Sequence, residues 1–216
     1  MRARKKKHGA ERIAACAELL IGDTAKLKED PDAFFAKKRP LHLEIGCGKG
    51  SFACSVSAQH PEVNLIAMEV VADVMVTALE KAMACRDKRP DNLRFLIGNA
   101  ENLTEWFPAH SVDCLYLNFS DPWHKARHAK RRLTHRDFLA RYREVLKVGG
   151  VLRFKTDNVN LFDFSLEEFA AMGLRTENLT RDLHNSPYNE GNIMTEYEKS
   201  FSEKGFPIHA VTVYFD

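Results

Sequence analysis

The fold is decided by the segment LHLEIGCGKG, residues 41–50, together with the residues that follow it up to position 59. Residues 41–45 form a short apolar strand, the glycines come at once in a G-x-G-x-G pattern, and residues 51–59 have the composition of a helix. Glycine allows a tight turn and a close backbone approach, and a helix N-terminus offers free N–H groups to an anion. Strand, glycine-rich turn and helix therefore predict a nucleotide site. The dinucleotide fingerprint G-x-G-x-x-G/A is not matched, because Ser51 takes the place of its last glycine.

Polar side chains near the ends of the first three predicted strands are candidate ligand contacts. Glu44 stands just before the glycine turn, where a carboxylate suits a cationic ligand better than a pyrophosphate. Residues 64–68 form a second strand that ends at Glu69, an acid placed to accept hydrogen bonds from ribose hydroxyls. Asn99 follows the third strand, and its amide can both donate to and accept from an adenine edge. The alternatives are an ordinary strand-end acid and a turn asparagine.

A second informative stretch, NFSDPWHKARHAKRR at residues 118–132, follows a buried strand predicted at residues 112–117. Pro122 fixes its own φ and pushes Asp121 towards an extended conformation, so the chain leaves the strand stiffly. Asp121 and Trp123 therefore lie at the carboxyl end of a strand, the edge where open α/β sheets bind ligands. The cationic strip that follows suggests a base held near its own phosphates. The alternative is a loop with a solvated charge run.

The rest of the chain continues the alternation of strands and helices. We expect helices at residues 10–21 and 71–87, a helix capped by Thr134 that ends at Gly149–Gly150, and a fifth strand followed by Asp157. Residues 174–179 and 208–215 can pair as neighbouring strands, which adds an antiparallel member to a mostly parallel sheet. The predicted fold class is α/β, a seven-stranded doubly wound sheet with an antiparallel last strand. Residues 1–39 are interpreted as a basic arm, a helix and a connector, and residues 40–216 as the main domain.

Composition excludes several classes of protein. The 216 residues are 44% hydrophobic and 29% charged, which is typical of one globular domain. The net charge of +2 does not by itself indicate nucleic acid, but basic residues bunch at residues 2–7 and 125–136. The five scattered cysteines form no C-x-x-C pair, which favours a reduced, cytoplasmic protein. No apolar run is long enough for a membrane span or a signal sequence, so no membrane partner is expected.

Taken together, these motifs resemble the class I S-adenosylmethionine-dependent methyltransferases, which have a Rossmann-like fold. Within that group the chain is similar to the bacterial tRNA (guanine-N7-)-methyltransferases. The resemblance runs from about residue 41 to the C-terminus. It rests on LEIGCGKG at residues 43–50, on Ser120-Asp121-Pro122-Trp123 with Lys125, Arg127, His128 and residues 130–132, on Thr156-Asp157-Asn158 and on Thr195-Glu196-Tyr197-Glu198. Two features depart from the family: His124 stands where proline is usual, and the segment before Leu41 matches poorly.

The resemblance implies transfer of a methyl group from S-adenosyl-L-methionine to N7 of a guanine in the tRNA variable loop, without a metal. It implies a partner, tRNA, and leaves open whether the enzyme is a monomer or a homodimer. Asp121 is implied as the catalytic residue. The implied cofactor contacts are Glu44, Gly46, Gly48, Glu69, Asn99, Ala100 and Asp121. The implied substrate contacts are Lys125, Asp157, Thr195, Glu196, Tyr197 and Glu198. The implied RNA contacts are Arg127, His128, Lys130, Arg131 and Arg132.

Three rival interpretations use the same kind of sheet. A nicotinamide or flavin oxidoreductase is disfavoured by the missing third glycine and by the antiparallel final strand. A methyltransferase for exocyclic amines would carry Asn/Asp-Pro-Pro-Tyr/Trp after the fourth strand, and residues 120–123 lack the second proline in that frame. An RNA-binding module that has lost catalysis is disfavoured by the intact Glu44, Glu69 and Asp121.

Overall fold

A seven-stranded sheet forms the centre of the molecule in the computed structural model, which describes residues 5–84 and 90–216. The strands are β1 (Leu41–Ile45), β2 (Asn64–Glu69), β3 (Leu93–Ile97), β4 (Val112–Asn118), β5 (Leu146–Thr156), β6 (Arg175–Thr180) and β7 (His209–Phe215). Their order is β3-β2-β1-β4-β5-β7-β6. All pairs from β3 to β5 are parallel, whereas β7 runs antiparallel to both β5 and β6. The predicted α/β class and the antiparallel last strand are confirmed.

Helices cover the sheet on both faces. They are α1 (Gly9–Ala14), α2 (Thr24–Glu29), α3 (Ser51–Gln59), α4 (Ala72–Met83), α5 (Leu103–Trp106), α6 (Arg136–Val145), α7 (Val159–Ala171) and α8 (Glu196–Ser202). Apolar side chains of α2, α5, α6 and α7 pack in one core, and those of α3 and α4 pack in the other, with α1 against α4. Successive residues of the strands point to opposite faces, so Leu115 enters the first core and Tyr116 the second. None of the helices in the described residues is long and apolar enough to cross a membrane.

The glycine turn between β1 and α3 requires glycine for two different reasons. Gly46, Gly48 and Gly50 all have positive φ values, of 81°, 55° and 74°, a conformation that is costly for other residues. A Cβ at Gly50 would lie 2.7 Å from Cβ of Ala78, because α4 packs directly against the turn. The third glycine of the G-x-G-x-G pattern therefore serves helix packing, while the first two leave open space beside the backbone.

The amino-terminal segment contributes apolar side chains to both cores of the sheet. The helix predicted at residues 10–21 ends at Ala14, and a short 3-10 helix (Ala17–Leu19) follows. Leu20 then bridges to Phe95 of β3 as extended chain. The reason is the apolar run at residues 19–21: Leu20 packs against one core and Ile21 enters the other, and successive residues point to opposite sides in extended chain. Leu27 of α2 is fully buried in the main core.

Two other boundaries differ from the sequence prediction. Thr134 does not cap α6, because it is buried and hydrogen-bonded to the Ser165 hydroxyl at 2.7 Å. His135 caps the helix instead, and its Nδ1 accepts from the Asp137 N–H. The helix stops before residues 149–150, because β5 begins at Leu146 and makes an irregular step between its pairings with Val112 and Cys114. Residues 85–87 of the helix predicted at 71–87, and the basic residues at positions 2 and 4, lie outside the described residues.

Candidate active site

A cleft of about 480 Å³ opens at the carboxyl ends of β1 and β4. These neighbouring strands mark the point where the strand order reverses, which is where doubly wound sheets bind ligands. The glycine turn forms one wall and the start of α8 forms another. The residues that line the cleft are Glu44, Gly46, Cys47, Gly48, Lys49, Ser51, Phe52, Asn118, Phe119, Thr195, Glu196 and Tyr197.

Glu44 is a buried acid whose hydrogen-bonding capacity is only partly used. Its Oε1 accepts from the Asn118 amide at 3.3 Å, while its Oε2 has no partner within the described chain. Asn118 Oδ1 and Ser120 Oγ are likewise buried without a described partner. Burial raises the pKa of Glu44 to about 7, although the Asn118 hydrogen bond and the Lys155 charge oppose the shift. Buried acceptors without donors fit a cationic ligand group such as the ammonium of an amino acid.

Glu69 connects the end of β2 to the glycine turn. Its two oxygens accept from the backbone N–H groups of Gly48, at 3.1 Å, and Val71, at 2.9 Å. Each carboxylate oxygen has a second lone pair, so Glu69 keeps acceptor capacity for ligand hydroxyls. Its predicted ribose contact is compatible with this placement and stays a prediction.

Asn99 and Ala100 lie beyond β3 in a local turn. The exposed Asn99 side chain accepts from the Glu101 N–H at 3.1 Å and donates to the Glu101 carboxylate at 3.0 Å. Ala100 is buried in the main core. An adenine contact from the Asn99 side chain would therefore replace its contact with Glu101, and it also stays a prediction.

The loop after β4 holds Asp121 at the surface with its carboxylate available. Phe119 and Trp123 have positive φ values of 54° and 43°, a conformation that costs free energy for side chains of this size. Arg132 stabilises the loop, since its guanidinium donates to the carbonyls of Pro122, at 3.0 Å, and Trp123, at 3.2 Å. Asp121 is exposed, and its carboxylate has no hydrogen-bond partner in the part of the chain that the structure describes.

The cationic strip divides into exposed and engaged side chains. Lys125, Arg127, Lys130 and Arg131 are exposed on a 3-10 helix (Ala126–Arg131) and its approach. The Arg131 guanidinium lies 4.9 Å from the Trp123 ring centroid, and the His128 ring is perpendicular to the same ring at a centroid distance of 5.7 Å. Arg132 is half-buried in the loop contacts, a role that its sequence position among basic residues does not reveal.

A buried ion pair fixes α8 over the cleft. Lys155 Nζ, near the end of β5, donates to Glu198 at 2.7 Å, to Asn192 at 2.9 Å and to the Ile193 carbonyl at 3.0 Å. Glu198 is fully buried and also accepts from Asn192, and it lies 3.0 Å from the ring of His184. Burial alone would raise the pKa of Glu198, but the Lys155 ammonium and the neighbouring donors hold it below its usual range. In the sequence, Lys155 is recognisable only as a cation within an apolar strand.

A capping box stabilises the start of α8, and two of its side chains contact neighbouring elements. Thr195 and Glu198 form a capping box, in which the Thr195 hydroxyl accepts from the Glu198 N–H at 2.9 Å. The Glu196 carboxylate contacts Lys81 and the Ser51 hydroxyl beside the glycine turn. The Tyr197 hydroxyl donates to Asp157 at 3.3 Å, and burial together with the Asp157 charge raises the pKa of Tyr197 to about 12.

The structure thus brings together some of the predicted site residues and separates others. Glu44, Gly46, Gly48, Thr195, Glu196 and Tyr197 line the cleft itself. Asp157 does not line the cleft but accepts a hydrogen bond from Tyr197, which does. Glu198 is buried outside the lining, and both of its oxygens accept hydrogen bonds. The strip at residues 125–132 lies outside the cleft lining.

The fold and the cleft define a class I methyltransferase. The 16S rRNA methyltransferase KamB superposes with a TM-score of 0.64 at 17% identity, covering 88% of this chain and 91% of that one. An antibiotic-related methyltransferase superposes with a TM-score of 0.61 at 16% identity, covering 89% and 92%. A protein family described as putative methyltransferase matches residues 38–211.

Curated relatives identify the family more narrowly. A tRNA (guanine-N(7)-)-methyltransferase of Limosilactobacillus reuteri is 44% identical over the whole of both chains. Those of Lachnoclostridium phytofermentans and Bacillus subtilis are 45% and 43% identical, covering 95% of both chains in the first case and 99% of this chain and 98% of the relative in the second. The chain belongs to the bacterial tRNA (guanine-N7-)-methyltransferase family.

Replacing Glu44 with Gln is expected to stabilise the unliganded protein at about pH 8 and much less at about pH 5. The pKa of about 7 in the folded chain lies above the usual 4.5, so the folded state binds more protons than the unfolded state between these values. The stability contributed by Glu44 therefore falls as the pH rises through this window, by about 3 kcal/mol in full. Urea unfolding at the two pH values measures the difference. Glu105→Gln, at an exposed position, is the control, and an equal effect of E44Q at both pH values would contradict the prediction.

Replacing Lys155 with Met is expected to destabilise the protein by about 3–5 kcal/mol, because Glu198 is left as a buried charge without its partner. The double variant Lys155→Met, Glu198→Gln is expected to recover much of this loss. The matched control is Lys147→Met at a surface ion pair with Asp113, where the side chains are 46% and 28% exposed and the expected cost is at most about 1 kcal/mol. Urea unfolding measures all three, and equal losses in the single and double variants would argue against the ion pair.

Proposed function

We propose that the chain transfers a methyl group from S-adenosyl-L-methionine to N7 of a guanine in the variable loop of tRNA, in the cytoplasm. The products are 7-methylguanosine in tRNA and S-adenosylhomocysteine. The observation that carries the proposal is a cleft whose buried acceptors at Glu44 have no partner in the described residues, together with an exposed Asp121, also without a described partner, on the loop after β4. The named activity of relatives 43–45% identical supports the choice of substrate.

The described residues fit a sulfonium methyl donor, which supplies an electrophilic methyl group when bound. Glu44 Oε2, Asn118 Oδ1 and Ser120 Oγ, which have no partner among the described residues, would hold its ammonium group. Glu69 would accept from ribose hydroxyls, and Gly46 and Gly48 would allow close backbone approach. Asn99, with the backbone of Ala100, would contact the adenine.

Guanine N7 carries a lone pair and no proton, so its attack on the methyl group needs no general base. Methylation leaves the purine positively charged. The Asp121 carboxylate stabilises that developing charge and can accept from N1–H and the exocyclic amine of the guanine. Because Asp121 has no competing partner in the described chain, its oxygens are free for this role.

Other residues of the site position the guanine. Lys125 and Asp157, with residues 195–197, surround the base, and Glu198 acts through Lys155 to hold α8 in place. Positioning of N7 in line with the methyl group supplies much of the rate acceleration.

RNA recognition follows from the accessibility of N7. In A-form RNA this atom faces a deep, narrow groove that side chains do not enter, so the acceptor must be an exposed nucleotide. The variable loop of tRNA offers such a nucleotide. The exposed cations Lys125, Arg127, Lys130 and Arg131 would contact its phosphates, with His128 beside them.

The direct test is incubation with tRNA and a labelled methyl donor, followed by mapping of the modified nucleoside. Label on guanine N7 of the variable loop is expected. Asp121→Asn is expected to lower the rate of methyl transfer about 100-fold or more, because it removes the charge that stabilises the product-like cation. Circular dichroism and tRNA affinity should change little. Glu167→Gln, an exposed acid on α7, is the control, and ordinary turnover by Asp121→Asn would overturn the assignment.

Arg131 and Arg132 are expected to behave differently although they are adjacent. Arg131→Ala removes an exposed cation, so tRNA affinity should fall and the slope of log affinity against log salt should flatten by about one. Arg132→Ala removes two hydrogen bonds to the Asp121 loop, so it should lower kcat with little change in that slope. Filter binding at several salt concentrations separates the two, with Arg143→Ala on α6 as control. Equal flattening by both variants would place Arg132 on phosphate instead.

A further inference from the structure

Four aromatic rings form a row from the loop after β4 along α8. Phe119 lies 5.0 Å from Tyr197, Tyr197 stacks on Phe201 at 4.2 Å, and Phe206 lies 5.7 Å from Phe201, all measured between ring centroids. Tyr197 is 44% exposed and Phe206, at the end of the row, is 54% exposed. The first two rings line the cleft, whereas Phe206 lies beyond it.

The row lies at the edge of the sheet where the predicted chemistry takes place. Because β7 is antiparallel, its first residue, His209, pairs with Thr156 at the end of β5. Phe206 precedes β7, so it lies beyond the same edge as Asp157 and Asp121. The Phe206 N–H donates to the Phe201 carbonyl at 3.2 Å, which fixes the turn that presents the ring.

The surroundings of Phe206 are complementary to a nucleotide, because they combine an exposed aromatic face with nearby lysine side chains. Phe201 backs the ring on one side, and the Lys204 ammonium lies 5.3 Å from the Phe201 centroid. Lys199 and Glu203 are the other exposed charged groups on this end of α8. An exposed ring beside lysines offers stacking for a base and a weak attraction for its phosphate, while Glu203 keeps the local charge low.

We propose that Phe206, backed by Phe201, is a stacking platform for an unpaired nucleotide of the RNA that flanks the methylated guanine. The proposal rests on the proposed function, because the acceptor guanine sets the path of the strand. Consecutive stacked bases are about 3.4 Å apart along a strand, so centroid steps of 4.2 and 5.7 Å place Phe206 within a few nucleotides of Tyr197.

Stacking on such a ring does not depend on the identity of the base, since every base has a π face. The platform therefore recognises that a neighbouring nucleotide is unpaired, not which nucleotide it is. A duplexed neighbour keeps its base inside the helix and gains nothing from Phe206. This selects tRNAs by the secondary structure around the acceptor guanine.

Phe206→Ala is expected to raise KM and Kd for tRNA about tenfold, in line with the loss of one base–aromatic stack. kcat at saturating tRNA, the affinity for S-adenosylhomocysteine and the salt slope should be unchanged, because neither the cleft nor a phosphate contact is altered. Phe206→Leu should show an intermediate loss, and Phe206→Trp should gain fluorescence quenching on addition of tRNA. The matched control is Val148→Ala, which changes an 82% exposed apolar side chain of β5 at the opposite end of its pairing with β4.

Abasic substitutions at single nucleotides flanking the acceptor guanine provide a double-mutant cycle. At one flanking position, wild type and Phe206→Ala should bind the abasic tRNA equally, because the stacking partner is absent from both complexes. An effect of Phe206→Ala no larger than that of Val148→Ala, or one that persists with every abasic tRNA, would overturn the proposal. So would a change in self-association of Phe206→Ala without RNA, which would make this surface an interface between copies of the chain.

These outcomes are separable from failure of the proposed function. Label that never appears on guanine N7 with the wild-type protein would overturn the methylation assignment alone. If the wild-type protein does methylate N7 but Phe206→Ala binds tRNA as tightly as wild type, the stacking platform alone would be overturned.

Discussion

The ion pair between Lys155 and Glu198 is the contact on which the cleft depends. It joins the end of β5 to α8 across 43 positions of sequence, and both side chains are buried. A buried pair adds little net stability compared with apolar packing, but it strongly disfavours any arrangement in which one partner lacks the other. The ion pair fixes the position of α8 against β5. Because Glu196 and Tyr197 of α8 line the cleft, the same pair also fixes the wall of the cleft opposite the glycine turn.

Glu44 shows the opposite balance between stability and function. The buried charge of Glu198 is stabilised by its pairing with Lys155, whereas Glu44 is buried with one oxygen that has no partner in the described chain. Such a group lowers the stability of the unliganded fold and becomes favourable only when a complementary ligand arrives. The positive φ of Phe119 and Trp123, in the loop that carries Asp121, likewise costs free energy of folding. The hydrogen bonds of Arg132 to this loop offset part of that cost. Within the described residues, the buried polar atoms without a partner and two of the non-glycine residues with positive φ lie at the edge where the ligand is proposed to bind.

The sheet and its class were predictable because their signals are local. Apolar runs, the glycine turn and strand-end acids each lie within a few residues, and the resemblance to the family rests on such motifs. The seating of residues 9–39, the role of Arg132 and the pairing of Lys155 were not predictable, because each depends on a partner distant in sequence or on the conformation of a loop. Arg132 resembles its basic neighbours in sequence, and only the carbonyls of Pro122 and Trp123 distinguish it. Leu27 is fully buried in the core, although the residues around it in the sequence are mostly charged and do not predict a buried position.

A carboxyl group with a pKa of about 7 carries a proton in roughly half of the molecules at neutral pH. By the proposed function, an ammonium group that binds beside Glu44 would displace that proton, so loading of the cleft would exchange one positive charge for another. Binding of the donor would consequently be coupled to release of a fraction of a proton into solvent, and that fraction falls as the pH rises above the pKa of Glu44.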